Sequence, residues 1–418
     1  MKIRFLGACN EVGRSAIVVH DGVKHVLFDY GVIMNHEIGF PMHIPTRELD
    51  AIILSHAHLD HSGLTPLFYI GENLPIYGVE PAFQLTNVLI KDFLHLSGYY
   101  LPYEYIDLQN MLGNRVSIKF NERFRIGNAE FTLINAGHIP GSCQILMEID
   151  GERLLYTGDF NPIPSRLLEP AEQIYKNLDA LIIESTYADE DHPDRMKLEE
   201  EFVKKTREVI REGGIVLVPA FGVGRSQEIL MILTAHKFEY PIFIDGMAIE
   251  VTKIFMDYHE SLRDPDLFEK AVKKAEWIKS WKNRRKAVKT PSVIISPAGM
   301  LKGGAAAFYS EVLAKSEKNA IFLVSYQVPG SPGRLLLERK KLPIKGKLKK
   351  VEAQVEKFDF SSHAGRKELQ EFLSKLDAKT KVFVVHGAEG NCVKLASWAS
   401  KELGLNALAP NPGEVYEI

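Results

Sequence analysis

Cysteine is scarce in this 418-residue chain, which has three: Cys9, Cys143 and Cys392. They are too few and too scattered for a disulfide framework or a cysteine zinc site, and they fit a reducing compartment with buried or bystander thiols. No run approaches the roughly 20 apolar residues that a membrane span needs. The start, MKIRFLGACNEVGRS, reaches Asn10 and Glu11 before a signal-peptide core can form. The expectation is a cytoplasmic protein with no membrane partner. Excess charge of one sign is also missing, since 51 Lys and Arg against 54 Asp and Glu leave a formal charge of -3. The molecule as a whole does not advertise a polyanionic partner, so any nucleic-acid surface has to be local. There is no low-complexity segment and no repeat at a solenoid period, and 45% hydrophobic with 25% charged residues excludes a disordered or collagen-like chain.

The length suits two domains, each able to bury its own core. The first 160 residues read as strands with short turns: IRFLGA, SAIVVHDG, HVLFDYG and DAIILSH, with a helical pattern at 80–98 and alternating strands in NERFRIGNAEFTLINA. GERLLYTGD and DALIIEST add two apolar strands, each ending in an acidic residue, Asp159 and Glu184. Side chains at strand ends reach a shared rim where loops assemble sites. After Glu184 the texture changes to a charged amphipathic helix at 192–212 and an α/β alternation through GGIVLVPAFGVGRSQEILMIL, PIFIDG, SVIISPAGM and AIFLVSYQ. From about residue 350 the strand-and-loop style resumes, with KFDFSSHAG, a helix at 366–376 and KVFVVHGAEG. The chain is therefore expected to leave one domain (1–187), build another (188–348) and return (349–418).

Histidine is ordinary in number and informative in distribution. Ser55-His56-Ala57-His58-Leu59-Asp60-His61 follows the strand AIIL directly. Imidazole and carboxylate are the ligands that Zn2+ prefers, and a tight polar loop turns several of them toward one or two ions. With 14 His in the chain, HxHxDH arises by chance on the order of once in a thousand such sequences. Four residues cannot close two metal sites, so further ligands are required at later strand ends. His138 in NAGHIPGSCQ, Asp159 and His386 in KVFVVHG stand there. Alone, each has a plain alternative as a loop, turn or core residue; jointly they occupy equivalent strand-end positions.

These residues resemble the metallo-β-lactamase superfamily and specifically its β-CASP branch of nucleases, over essentially the whole chain. Asp29 in LFDYG, HAHLDH, His138 and Asp159 match the superfamily motifs, and Glu184 in IIEST, His363 in DFSSHAG and His386 match the three motifs peculiar to the branch. The resemblance implies an αββα metallo-β-lactamase sandwich with an inserted α/β β-CASP domain, and two zinc ions. One ion would be held by His56, His58 and His138 and the other by Asp60, His61 and His386, with Asp159 bridging. Asp60 is counted with the catalytic group as well. Asp29 would orient the metal loop without ligating. His363 would be the general acid for the leaving 3′ oxygen, with Glu184 orienting it and raising its pKa. Hydrolysis of an RNA phosphodiester would then leave a 5′-phosphate and a 3′-hydroxyl.

A nuclease must also hold a phosphate backbone. Between Lys270 and Lys289 lie nine basic residues, among them Arg284 and Arg285, with Trp277 and Trp281 interleaved; a second run of eight, including Lys345, spans Arg334 to Lys350. Such stretches pair phosphates and stack bases of single-stranded RNA, or are solvated helix faces with buried tryptophans. The loops SPAGMLKGG and QVPGSPGR offer glycine amides, Ser331 and Arg334 to phosphate, with ordinary turns as the default. Ser362, beside His363, is a further candidate RNA contact. The GxG of PAFGVGRSQE lacks the third glycine and the acidic ribose partner of a dinucleotide site.

Within the branch, His386 is similar to the RNA-processing members, and the form HAHLDHSG without a KH extension resembles a short archaeal relative of the cleavage and polyadenylation specificity factor endonuclease. A 5′ to 3′ exonuclease of the ribonuclease J type is the near alternative. Two other classes stay open: a thioester or lactone hydrolase on the same metal scaffold, which leaves the inserted domain unexplained, and a scaffold subunit of an RNA-processing complex. The strand-like end NPGEVYEI is compatible with a homodimer formed through the C-terminal region, as in relatives.

Overall fold

In the short strands of the N-terminal half, neighbouring side chains alternate between two different cores. Ala51 and Ile53 face one buried cluster with Phe5, Phe28, Phe131 and Phe383, whereas Ile52 and Leu54 face another with Phe83, Ile90 and Leu108. This period-2 pattern is that of a strand covered on both faces. The computed structural model describes residues 1–34, 37–328, 330–344, 346–388 and 390–418. They divide into two compact units, one made of Met1–Pro164, Glu169–Asp191 and Ser362–Ile418, the other of Ser165–Leu168 and His192–Ser361.

The first unit holds two seven-stranded sheets. One runs in the order Val415–Glu417, Lys2–Phe5, Ile17–His20, His25–Phe28, Ala51–Ile53, Ile76–Gly78 and Arg115–Ser117. The other runs Asn406–Leu408, Lys381–Val384, Ala180–Ile183, Glu152–Tyr156, Cys143–Ile149, Ala129–Asn135 and Arg123–Ile126. Residues of both sheets share the cluster containing Ile3, Phe28, Phe131, Ile145, Ile182 and Phe383, so the sheets pack face to face. Helices Glu80–Ser97 and Tyr105–Gly113 cover the outer face of the first sheet through Phe83, Ile90, Phe93 and Leu108. Helices Arg366–Ser374 and Asn391–Leu403 cover the second through Leu369, Phe372 and Leu395. This is the expected αββα sandwich, and each buried Phe, Leu or Ile contributes about 1.5–3 kcal/mol. The C-terminal strand pairs antiparallel with Lys2–Phe5 of its own chain.

The second unit carries a six-stranded sheet in the order Glu276–Trp277, Ile242–Ile244, Val293–Ser296, Val216–Pro219, Ala320–Leu323 and Gln354–Lys357, with every pairing parallel. Because Gln354–Lys357 pairs with Ala320–Leu323, the chain returns to the first unit at Ser362, whereas sequence texture puts the return at 349. The charged helix spans Arg195–Arg211 rather than 192–212. His192 precedes Pro193, which disfavours the helical region, and the Asp194 side chain caps the helix by accepting from the Lys197 N–H at 3.0 Å. Among the described residues no helix is long and apolar enough to cross a membrane.

Candidate active site

All the expected metal ligands lie in the first unit, at the ends of strands from both sheets. His56, His58, Asp60 and His61 follow Ala51–Ile53, and Asp159 follows Glu152–Tyr156. Glu184 follows Ala180–Ile183, and His386 follows Lys381–Val384. Asp29 and His386 sit in left-handed backbone, at φ 57° and 49°. For a residue other than glycine this costs about 1–2 kcal/mol. At Asp29 the cost is offset by the hydrogen bonds its side chain makes. The fully buried carboxylate accepts from Ser55 N and Oγ, each at 2.7 Å, from His61 Nδ1 at 2.7 Å and from Tyr156 OH at 2.9 Å. Hydrogen bonds to a charged group contribute about 1.5–3 kcal/mol each. Gly31 is required beside it, because a Cβ there would stand 1.8 Å from the Asp60 carbonyl oxygen.

Two hydrogen bonds decide how the imidazoles present themselves. With Nδ1–H given to Asp29, His61 turns a bare Nε2 toward Asp159 Oδ1 at 3.3 Å, with Ser15 Oγ at 3.2 Å. With Nδ1–H given to the Ser362 carbonyl at 2.8 Å, His138 turns a bare Nε2 toward His58 Nδ1 at 3.0 Å. The buried His56 Nε2 has no hydrogen-bond partner and lies 3.5 Å from Asp159 Oδ2. His386 places Nδ1 3.3 Å from Asp159 Oδ1 and Nε2 3.3 Å from Asp60 Oδ2, with Thr186 Oγ1 3.2 Å from Nδ1. The Asp159 carboxylate thus faces His56 and His138 with one oxygen and His61 and His386 with the other. Ligand atoms of His56, His58, His138 and Asp159, and those of Asp60, His61, Asp159 and His386, lie within 4.8 Å of one another in each set.

Lone pairs turned toward lone pairs in a buried space repel unless a cation stands between them. The orphaned His56 Nε2 and Asp159 Oδ1 therefore fit metal ions, the His58 and His138 nitrogens converge on the same place at 3.0 Å, and an imidazole–carboxylate donor set suits zinc. The electrostatics agree. Burial pushes His56 and His138 well below the ordinary imidazole range, which keeps them neutral and able to ligate. Burial also pushes down on His61, but with no cation between them the Asp159 and Asp29 carboxylates outweigh it and favour a second proton on the ring, in the place at Nε2 that a metal ion would take. Burial would raise the Asp159 carboxyl, and His386 and His61 overcome it and keep it ionised.

Beside this cluster stands a dyad. His363 Nδ1 lies 3.0 Å from both Glu184 oxygens, and Glu184 Oε1 also accepts the Phe160 N–H at 2.8 Å. Burial lowers the His363 pKa, but Glu184 and then Asp159 raise it to about 9, so the ring is a proton donor at neutral pH. The His363 and His138 ring centroids are 4.5 Å apart, which sets the donor against the metal cluster.

The expected RNA contacts are more scattered. Ser331 is fully buried as the cap of helix Pro332–Arg339, its hydroxyl accepting from Arg334 N at 3.2 Å; a side chain so used does not reach phosphate. Arg334 itself pairs with Glu338 at 2.6 Å. Arg284, expected on phosphate, spends its fork on the buried Asp245, with Nε and Nη2 donating at 2.7 and 3.0 Å. Arg285 is exposed. Ser362 meets the site through its carbonyl on His138. Lys345 lies outside the described residues. Ser15, Tyr156 and Thr186 escape the sequence reading, and Ser55 enters it only as part of the histidine motif without its bond to Asp29, because hydroxyls give no spacing signal.

Comparison with known proteins agrees with this arrangement. Three family models match: a Beta-lactamase superfamily domain over residues 24–210, a Beta-Casp domain over 226–336 and a Zn-dependent metallo-hydrolase RNA specificity domain over 349–410. RNase aCSPSF2 of Saccharolobus solfataricus is 40% identical over 420 residues, covering 100% of this chain and 85% of the relative. Probable RNase MJ4 of Methanocaldococcus jannaschii is 36% identical over 430 residues, covering 100% of both. Transcription termination factor FttA of Pyrococcus abyssi is 34% identical over 458 residues, covering 98% of this chain and 70% of the relative. A solved protein of unknown function from Enterococcus faecalis shares the fold, with a TM-score of 0.62 at 14% identity over 99% of each chain. With its buried His/Asp cluster, its Glu184–His363 dyad and relatives matching from end to end, the chain belongs to the β-CASP metallo-hydrolase branch of the metallo-β-lactamase superfamily.

Proposed function

We propose that this protein is a zinc-dependent ribonuclease that hydrolyses RNA phosphodiester bonds and leaves 5′-phosphate and 3′-hydroxyl ends. The observation that carries the reading is the Asp159 carboxylate, whose two oxygens face two separate pairs of imidazoles with a proton-donating His363 alongside. His56, His58 and His138 would hold one ion, Asp60, His61 and His386 a second, and Asp159 both. When bound, two such ions supply a water nucleophile competent at neutral pH and neutralise charge that builds on the phosphoryl oxygens. The chain's residues do the rest. Asp29 and the Ser362 carbonyl hold His61 and His138 in the tautomers that ligate. His363 gives its proton to the departing 3′ oxygen, and Glu184, fixed by the Phe160 N–H, orients the ring and keeps it charged. Positioned acid catalysis of this kind contributes about 10²–10⁴-fold.

We propose further that it cuts internally, in RNA processing or decay, as its resemblance to the short archaeal endonucleases suggests. RNA labelled at one end and then the other tests it. Internal fragments from both substrates are expected; mononucleotides released from the 5′ end from the start would instead make it a 5′ to 3′ exonuclease.

A further inference from the structure

The two tryptophans of the basic stretch have different surroundings. Trp277 is half-buried, and its Nε1–H points to the Val272 carbonyl at 3.5 Å. Trp281 is 55% exposed, a large amount for the most costly side chain to leave in water. It is also held still. The Arg284 guanidinium lies 4.8 Å from the indole centroid, and the Phe308 ring meets it edge-on at 5.2 Å and 87°. Arg284 is in turn fixed by two hydrogen bonds to the buried Asp245, whose Oδ2 also accepts from Tyr309 OH at 2.6 Å. One face of the indole is thus covered by a cation tied to a buried carboxylate.

The surroundings of that ring are strongly cationic. From Trp277 to Ser310 the chain has no Asp or Glu. Lys279, Lys282, Arg285, Lys286 and Lys289 are exposed, and of these only Lys286 has a carboxylate partner among the described residues, Glu276 at 3.4 Å. Trp281 opens the helix Trp281–Ala287, which follows Glu276–Trp277, an edge strand of the parallel sheet. An exposed aromatic ring backed by a cation, in a segment rich in exposed cations, matches the chemistry of single-stranded nucleic acid: bases stack on aromatic rings, and phosphates meet lysines. An acidic peptide would use the charges and leave the indole without purpose.

We propose that Trp281 is a stacking platform for a base of single-stranded RNA, with Arg284 as the support beneath the ring and the flanking cations tracking the backbone. Arg284 is thereby a positioning residue rather than a phosphate contact. The inference rests on the ribonuclease reading above. It is tested by binding of a short, cleavage-resistant phosphorothioate RNA to the full-length, metal-loaded protein and its W281A and W281F variants. Wild-type tryptophan fluorescence is expected to be quenched on binding. W281A should lose most of that quench and bind about ten-fold or more weakly, with W281F in between. The slope of log Kd against log salt should not change, because no phosphate contact is removed. If the wild type cuts RNA and W281A binds within about two-fold of it, stacking at Trp281 is wrong while the ribonuclease reading stands. If the wild type neither binds nor cuts RNA, both fail.

Discussion

Asp29 accepts the Nδ1 proton of His61 across 2.7 Å, so a residue outside both donor clusters fixes Nε2 as the nitrogen that faces Asp159. Substituting Asn keeps the size, removes the charge and replaces one acceptor oxygen by an NH2 group where Ser55, His61 and Tyr156 now donate. D29N is expected to weaken metal binding by about 10–100-fold, read by competition with a coloured chelator. Unchanged affinity would show that Asp29 does not orient the ligand. D29A should also destabilise the fold by about 3–5 kcal/mol in urea titration, since it strands buried donors.

The buried donors gathered around Asp159 are expected to make the fold itself responsive to metal. Chelation followed by gel filtration should abolish RNA cleavage and lower the Tm, and zinc should restore both. A ligand present at about a hundred times its Kd adds roughly 2.7 kcal/mol. Elemental analysis of the reloaded protein should return two ions per chain. One ion at full activity would contradict the division of ligands between the two Asp159 oxygens.

The Glu184–His363 pair, joined at 3.0 Å, is expected to act as a unit. H363A and E184Q should each lower kcat by about 10²–10⁴-fold at unchanged metal content, and the double variant should lose little beyond the worse single one. Additive losses would separate the two residues, and a His363 variant cutting RNA at the parental rate would remove it from the chemistry.

Much of this site can be read from the sequence because its parts are end-of-strand His and Asp residues, and the metal loop packs four donors into HAHLDH. The sandwich is legible for the same reason: residues such as Ala51–Leu54 alternate between two cores. Ser331 and Arg284 show where legibility stops. Their types suit phosphate, but a capping bond and a buried Asp245, distant in sequence, claim them. The strand Gln354–Lys357 is similar: its short polar pattern does not say which sheet it joins.

The three buried thiols offer a pH test away from the cluster's ligands. Burial, then the neighbouring Cys392, pushes Cys9 up to about 12, and burial raises Cys143 and Cys392 as well. A thiol in the unfolded chain titrates near ~8.5. Between about 8.5 and 12 the folded state therefore holds protons that the unfolded state has lost, so stability is full below that window and falls as pH rises through it. Native protein at pH 8 should resist iodoacetamide, and unfolded protein should label fully. Rapid native labelling of Cys9 would contradict its burial.

The central claim, water attack on phosphorus at this His/Asp cluster with departure of the 3′ oxygen, is tested most directly by cleaving RNA in oxygen-18 water and locating the label by mass spectrometry. One heavy oxygen in each new 5′-phosphate, with an unlabelled 3′-hydroxyl, is the expected result. A 2′,3′-cyclic or 3′-terminal phosphate would contradict it, because the RNA's own 2′ oxygen or an opposite bond cleavage would then be carrying the reaction.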